Sequence, residues 1–223
     1  MPRPLSQLVY TRIQEGTGSP RVITLHRHNQ RGGDVADYGR AASPHGRVIG
    51  LESSKGVFVG REIVGYTWFV GPPHQPSPLF FGDALAEIER FLWDEVDRQG
   101  GPEAELPVLL GVEQGAIMAL AAAAAVPDLL SGVIAVDGFL PIVPGWQPPL
   151  VPLDGLPILL IDGRDTVDHP DRVLSGDQLA ATLARWGASV TRRDAVADGG
   201  RPDCDMATWL SEQPLRRRSR ASV

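Results

Sequence analysis

The sequence predicts a single α/β domain built on a mostly parallel, doubly wound sheet with helices on both faces. Two continuous apolar runs, 106–112 and 156–163, have the pattern of strands that are buried on both faces. Apolar strand segments alternate with helical segments over most of the chain, which is typical of a parallel sheet. No internal repeat or linker divides the 223 residues, so we predict one domain over 1–213 and a basic, flexible tail over 214–223.

Each element follows from its local pattern. Short apolar or β-branched runs predict strands over 20–28, 46–53, 106–112, 132–141, 156–163 and 188–196. Apolar residues at helical spacing and an Ala-rich stretch predict helices over 80–99, from 114 to near Pro127, over 176–186 and over 203–210. The segment 60–78 is rich in Gly and Pro and is predicted to be a long loop.

Composition and charge limit the classes of function. A formal net charge of −6 argues against nucleic acid as the main partner. No apolar run reaches the roughly 18 residues of a membrane span, and the N-terminus lacks the apolar core of a signal peptide. Cys204 is the only cysteine, so no intramolecular disulfide can form, and we expect a cytoplasmic protein.

The stretch LLGVEQGAIM, residues 109–118, has the pattern of a sharp turn between a buried strand and a helix. Gly111 and Gly115 have the spacing of the motif Gly-x-Ser-x-Gly, in which a nucleophilic serine occupies the tip of such a turn. Glu113 stands at the serine position.

Five segments in chain order resemble the α/β-hydrolase fold. Within that fold, the chain is most similar to the compact carboxylesterase, phospholipase and acyl-thioesterase family, which has little or no lid, and the resemblance covers about residues 20–212. ITLHRHNQRGGD resembles the first core strand with the oxyanion loop, and GYTWF resembles a stretch that lines the acyl pocket. LLGVEQGAIMAL resembles the elbow, and VDGFLP resembles the turn after the next strand. PILLIDGRDTVDHP resembles the strand and loop that carry the triad acid.

The resemblance implies a Ser-His-Asp triad, and the chain departs from it. Glu113 replaces the nucleophile. The acid position falls on Thr166, with Asp165 one residue early and Asp168 two residues late, and a one-residue deletion in the loop makes Asp165 the candidate acid. The family's histidine follows the last strand, but that loop reads ADGGRPD here, and no histidine lies beyond His169. A serine-type acyl-enzyme mechanism is therefore excluded.

Three roles remain for Glu113. A covalent nucleophile, like the aspartate of haloalkane dehalogenases and epoxide hydrolases, needs a histidine to break the ester, and that histidine is absent from its usual loop. A non-covalent general acid or base can act on a small, partly apolar carbonyl, acyl or epoxide compound. In the non-catalytic alternative, Glu113 caps the following helix or pairs with Arg27, and the protein is a pseudo-hydrolase that binds a ligand or serves as a scaffold.

The resemblance also suggests ligand-binding residues. Arg27 replaces a family glycine in the oxyanion loop, and either Arg27 or His28 can provide electrophilic assistance. Trp68 and Phe69 either line the acyl pocket or pack in the core. Gln114 is expected to act through its backbone amide, so its side chain carries little information.

A metal or cofactor is not expected. His26 and His28 lie on the same side of a strand end, but no third ligand is evident, so we interpret them as a core and a loop histidine. We expect a small molecule as substrate or ligand. A homodimer is compatible with the sequence.

Overall fold

The computed structural model describes residues 6–99, 105–162, 173–174, 176–194, 203–214 and 216. Its central strands are β1 (Val9–Gln14), β2 (Gly18–Leu25), β3 (Gly46–Glu52), β6 (Val108–Val112), β7 (Gly132–Val136), β9 (Pro157–Asp162) and β11 (Ser189–Asp194). Two small antiparallel pairs consist of β4 (Lys55–Val59) with β5 (Glu62–Thr67) and of β8 (Leu140–Pro141) with β10 (Val173–Leu174). The helices are α1 (Ala36–Ala42), α2 (Pro78–Arg98), α3 (Gln114–Ala125), α4 (Gly176–Arg185) and α5 (Asp203–Glu212).

The central sheet has the strand order β1-β3-β2-β6-β7-β9-β11. The β1–β3 pair is antiparallel, and the other neighbouring strands are parallel. Buried residues of α2, α3 and α4 share one apolar cluster on one face of the sheet, and α5 packs with α1 on the other face. The predicted mostly parallel, doubly wound sheet is therefore confirmed.

Helix α3 lies close against the centre of the sheet. Its residues from Gln114 to Ala124 are all buried, because the small Ala side chains allow sheet and helix to approach. A Cβ at Gly111 would lie 2.2 Å from the Gly115 carbonyl oxygen, and a Cβ at Gly115 would lie 2.2 Å from the Leu25 carbonyl oxygen. Both glycines are therefore required by the close contact among β2, β6 and α3.

Strands β1, β4 and β5 were not predicted from the sequence. The N-terminal strand β1 was not expected, because it is an edge strand with mostly exposed residues and so lacks an apolar run. The predicted loop over 60–78 is wrong over Glu62–Thr67, where β5 forms a hairpin with β4. Gly60 has φ 64° at the turn and allows the chain to reverse, and the mostly exposed hairpin gives no buried-strand pattern.

Two boundaries also differ. The predicted strand over 132–141 is interrupted after Val136, because Asp137 adopts φ 55°. The predicted tail begins at 214, but the Arg216 carbonyl accepts from Leu106 N–H and its own N–H donates to Ser131 Oγ. These two hydrogen bonds tie Arg216 to the domain, so the chain is anchored beyond the expected boundary. In the part of the chain that the structure describes, no helix is long and apolar enough to cross a membrane.

Candidate active site

The turn between β6 and α3 has a strained backbone. Glu113 adopts φ 50° and ψ −111°, and a positive φ is uncommon for a residue with a side chain. Its N–H donates to the Val136 carbonyl at 2.8 Å, and its carbonyl accepts from Ile117 N–H at 3.0 Å. The turn is thus held on both sides, by the neighbouring strand and by the first turn of the helix. Strained residues that the surrounding structure holds in this way cluster at functional sites.

The carboxylate of Glu113 reaches solvent. Its side chain is 51% exposed and makes no capping hydrogen bond with the N-terminal amides of α3. The helix-cap role that the sequence left open is therefore not what the side chain does in this structure. The elbow instead presents a carboxylate at the position that the motif Gly-x-Ser-x-Gly gives to a serine hydroxyl.

Arg27 contacts Glu113 from the end of the neighbouring strand. The distance from Arg27 Nε to Glu113 Oε1 is 3.4 Å. Nε is buried and has no hydrogen-bond partner among the described residues, so the contact is an ion pair without hydrogen-bond alignment. Arg27 Nη2 donates to the Tyr38 hydroxyl at 3.0 Å, and the guanidinium carbon lies 5.8 Å from the centre of the Tyr38 ring. The pairing of Arg27 with Glu113 that the sequence suggested is present.

The buried Gln114 side chain has a positioning role that sequence analysis missed. Its Oε1 accepts from Trp68 N–H at 2.8 Å and from the Thr67 hydroxyl at 2.9 Å, and its Nε2 donates to the Phe69 carbonyl at 3.1 Å. The expectation that this side chain carries little information is therefore wrong. The residue after Glu113 fixes the segment 67–69 against the elbow, over a sequence separation that no local pattern can show.

His28 joins the same network through Thr67. Its Nδ1 lies 3.0 Å from Thr67 Oγ1, and Thr67 Oγ1 also lies within hydrogen-bond distance of the Phe69 carbonyl and of Gln114 Oε1. A hydroxyl has one proton, and both of those partners are acceptors, so we assign the proton of the His28 contact to Nδ1. Thr67 therefore links the exposed His28 ring to the Gln114 side chain and holds the ring in a fixed orientation.

His26 is a core residue. It is fully buried, its Nε2 accepts from Ser53 N–H at 3.2 Å, and its Nδ1 lies 2.7 Å from the Arg27 carbonyl. The Nδ1–H tautomer satisfies both contacts. Burial lowers the pKa of His26, and the hydrogen bond to the Arg27 carbonyl opposes this in part. The interpretation of His26 as a core histidine fits this environment.

The two aromatic candidates are also in the core. Trp68 and Phe69 are both fully buried. Trp68 stacks on His26 at 4.9 Å between ring centres and donates its indole N–H to the His26 carbonyl, while Phe69 packs against Phe81. Neither side chain presents surface to a ligand in this structure, which matches the core-packing alternative.

Asp137 was missed as a residue of this region. Val112 and Val136 are paired in register, so Glu113 and Asp137 directly follow paired residues of adjacent parallel strands. Asp137 is partly buried, has φ 55° and donates its N–H to the Ile161 carbonyl at 2.8 Å. The available signal was an aspartate at the serine position of the VDGFLP segment; the positive φ could not be read from the sequence.

Asp165, Thr166, Asp168 and His169 lie outside the described residues. The nearest described carboxylate along the chain is Asp162, which is buried at the end of β9 and hydrogen-bonded to Arg192. Within the described ranges, no three His, Cys, Asp or Glu residues are grouped so as to hold a metal ion.

Part of the sequence matches one known family. Residues 80–170 match the Phospholipase/Carboxylesterase family of α/β-hydrolases, a segment that contains α2, β6, the elbow, α3, β7 and β9. No curated protein has a significantly similar sequence.

Solved structures share the architecture over most of the chain. A carboxylesterase from Mesorhizobium loti matches with a TM-score of 0.70 and 19% identity, covering 86% of this chain and 88% of its own. The Bacillus cereus carboxylesterase matches with a TM-score of 0.73 and 16% identity, covering 92% and 94%. Esterase PE8 matches with a TM-score of 0.65 and 22% identity, covering 95% and 100%. These likenesses establish the α/β-hydrolase fold.

Proposed function

We propose that this α/β-hydrolase-fold protein, which matches the phospholipase and carboxylesterase family over residues 80–170, is a repurposed member of that family. In this proposal, Glu113 acts as a non-covalent general acid or base on a small, partly apolar carbonyl, acyl or epoxide compound. The reaction belongs to the hydrolase, lyase or cyclase class and requires no cofactor.

The observation that carries the proposal is the state of the elbow. The strained backbone at Glu113 is retained, both flanking glycines are required by packing, and the carboxylate at the tip is half exposed. A general base must reach the proton that it removes, and an exposed carboxylate at the carboxyl edge of a parallel sheet meets that condition.

Neighbouring residues supply the remaining roles. Glu113 accepts a proton from the substrate or from an attacking water molecule and returns it to the leaving oxygen. Arg27, whose guanidinium lies beside this carboxylate, stabilises the negative charge that develops on a carbonyl or epoxide oxygen. His28 and the backbone amide of Gln114 are proposed to orient the substrate, and Asp165 is proposed as a second acidic group.

The competing proposal is a non-catalytic binding or scaffold protein. It is favoured by the Arg27–Glu113 ion pair, because this pair joins the nucleophile position to the oxyanion position and leaves each charge partly neutralised. The exposure of Glu113 supports the catalytic proposal over this one, since a structural plug is expected to be shielded from solvent.

The two proposals are separated by turnover. We would follow short acyl esters, lactones, epoxides and small carbonyl compounds by NMR with the wild type, Glu113→Gln and the matched control Glu212→Gln, which alters an exposed glutamate at the end of α5. We expect wild-type turnover of at least one class, a loss of about a hundredfold or more in Glu113→Gln, and no loss in the control. No turnover by the wild type, or equal turnover by Glu113→Gln, would support the non-catalytic alternative.

A further inference from the structure

We propose that Arg27 is the receptor for the carboxylate group of a small monoanionic ligand, and that Glu113 competes with this ligand for the guanidinium. The inference names the ligand class of the site described under the proposed function. It concerns binding alone, so it is tested without any turnover.

Arg27 has hydrogen-bonding capacity that the described residues do not use. A guanidinium carries five N–H donors, and the Tyr38 hydroxyl accepts from one of its terminal nitrogens. The Nε–H is buried and finds no acceptor in the part of the chain that the structure describes, because the contact with Glu113 at 3.4 Å is not aligned for a hydrogen bond. A desolvated donor without an acceptor is unfavourable, and an oxygen atom of a ligand relieves that cost.

The guanidinium is already held in position. The Tyr38 hydroxyl fixes one terminal nitrogen, and its ring lies near the cation. Tyr38 itself belongs to α1 and packs against the apolar cluster that α1 and α5 form with the other face of the sheet. Little side-chain freedom therefore remains to be lost when a ligand binds. Preorganisation of this kind is typical of a binding site and is unnecessary for a solvated surface arginine.

The location also suits a ligand. Arg27 follows β2 and Glu113 follows β6, so both stand at the carboxyl edge of adjacent parallel strands, where ligands bind in open α/β sheets. The Arg27 side chain is 32% exposed, which leaves part of the guanidinium accessible.

A monocarboxylate fits this arrangement better than a dianion. The planar guanidinium matches the two oxygens of a carboxylate, and such pairs form charge-assisted hydrogen bonds. The charge of Glu113 beside Arg27 disfavours a doubly charged ligand. A single carboxylate can replace Glu113 at the guanidinium, since the Glu113 side chain is half exposed and has room to turn outward.

The experiment is an NMR titration of the full chain with butanoate, and with butanamide as the neutral analogue of the same shape. We expect saturable binding of butanoate at the signals of Arg27 and its neighbours, and at least about tenfold weaker binding of butanamide. Arg27→Met should weaken butanoate binding at least about tenfold, equivalent to about 1.4 kcal/mol. Glu113→Gln removes the competitor and should strengthen binding severalfold.

Two further variants keep the test decisive. Arg40→Met, which removes an exposed arginine paired with Asp37 on the same helix as Tyr38, should bind butanoate like the wild type. Tyr38→Phe keeps the charge of Arg27 but releases the terminal nitrogen of Arg27, so it should weaken butanoate binding less than Arg27→Met does. If Arg27→Met does not fold, Tyr38→Phe is the variant compared with the wild type. Equal binding of butanoate and butanamide, or no saturable binding of butanoate, would overturn the inference. An affinity for butanoate that is unchanged in both Arg27→Met and Tyr38→Phe would also overturn it. Absence of turnover in the earlier substrate assay would leave this result unaffected.

Discussion

Arg27 and Glu113 form an ion pair across the carboxyl ends of two adjacent strands, with 3.4 Å between Nε and Oε1. Their side chains are 32% and 51% exposed, so solvent screens the pair and neither charge is sealed in the core. The pair couples the segment after β2 to the tip of the elbow. It follows that substitutions at either residue should change ligand binding or turnover more than the free energy of unfolding.

The first prediction is that the chain lacks serine-esterase activity. No histidine follows position 169, and the serine of the elbow is replaced, so neither proton transfer nor acyl-enzyme formation can follow the usual route. Hydrolysis of p-nitrophenyl esters should be no faster than with an equal amount of a nonspecific protein. Fluorophosphonate probes should not label the chain, and mass-spectrometric detection of an adduct on any serine would contradict the prediction.

The second prediction is that Glu113→Ser does not restore esterase activity. The change recreates the Gly-x-Ser-x-Gly pattern on a backbone that already has the elbow conformation. Triad members act as a unit, so a serine without its histidine gains little. A large gain in p-nitrophenyl ester hydrolysis would mean that a histidine from elsewhere reaches the elbow, and the double variants with His28→Ala or His169→Ala would identify which one.

The third prediction concerns the stability of the ion pair. Because both side chains are partly exposed, Glu113→Gln should lower the free energy of unfolding by no more than about 1 kcal/mol. For a domain of this size, that corresponds to a shift of the melting temperature by about 2–4 °C or less. A loss of several kcal/mol in a melting curve would instead show that Glu113 is a structural plug and would favour the non-catalytic proposal.

The elbow could be predicted from sequence because its determinants are local. An apolar run, two glycines at fixed spacing and an Ala-rich helix lie within about twenty consecutive residues, and the structure places Glu113 at the tip as expected. The network around Gln114 could not be predicted, since its partners at 67–69 are 45 to 47 residues away. The exposed strand β1 carries no apolar run, so the hydrophobic pattern that found the core strands did not apply to it.

The fourth prediction is that the free energy of unfolding decreases as the pH is lowered, because of His26. Burial lowers the pKa of folded His26, so the unfolded chain binds its proton first, near the ordinary pKa of about 6.5. The native state is therefore most favoured above that pH and loses up to about 1.4 kcal/mol between pH 7.5 and 5.5 from this group. Denaturant unfolding at both values should show a smaller pH difference for His26→Asn than for the wild type. An equal pH difference in the two proteins would exclude His26 as the cause.

The last prediction is that the Gln114 side chain holds the segment 67–69 in place. Gln114→Met keeps the approximate size but removes the acceptor of the buried Trp68 N–H and the donor to the Phe69 carbonyl. Without Gln114 Oε1 as the other acceptor, the single Thr67 hydroxyl proton is available to the Phe69 carbonyl. The Trp68 N–H loses its acceptor, and an unsatisfied buried donor costs about 1–3 kcal/mol.

The matched control is Gln213→Met. Gln213 lies just beyond α5 and donates one hydrogen bond to the Trp209 carbonyl, so the change should lower the free energy of unfolding by less than about 0.5 kcal/mol. Denaturant unfolding gives the global effect, and hydrogen exchange of the Trp68 amide gives the local one. We expect Gln114→Met to be the less stable protein and to exchange the Trp68 amide faster than the wild type. If that amide stayed protected and stability were unchanged, another group would have to hold the segment, and the orientation of His28 through Thr67 would no longer depend on the residue that follows Glu113.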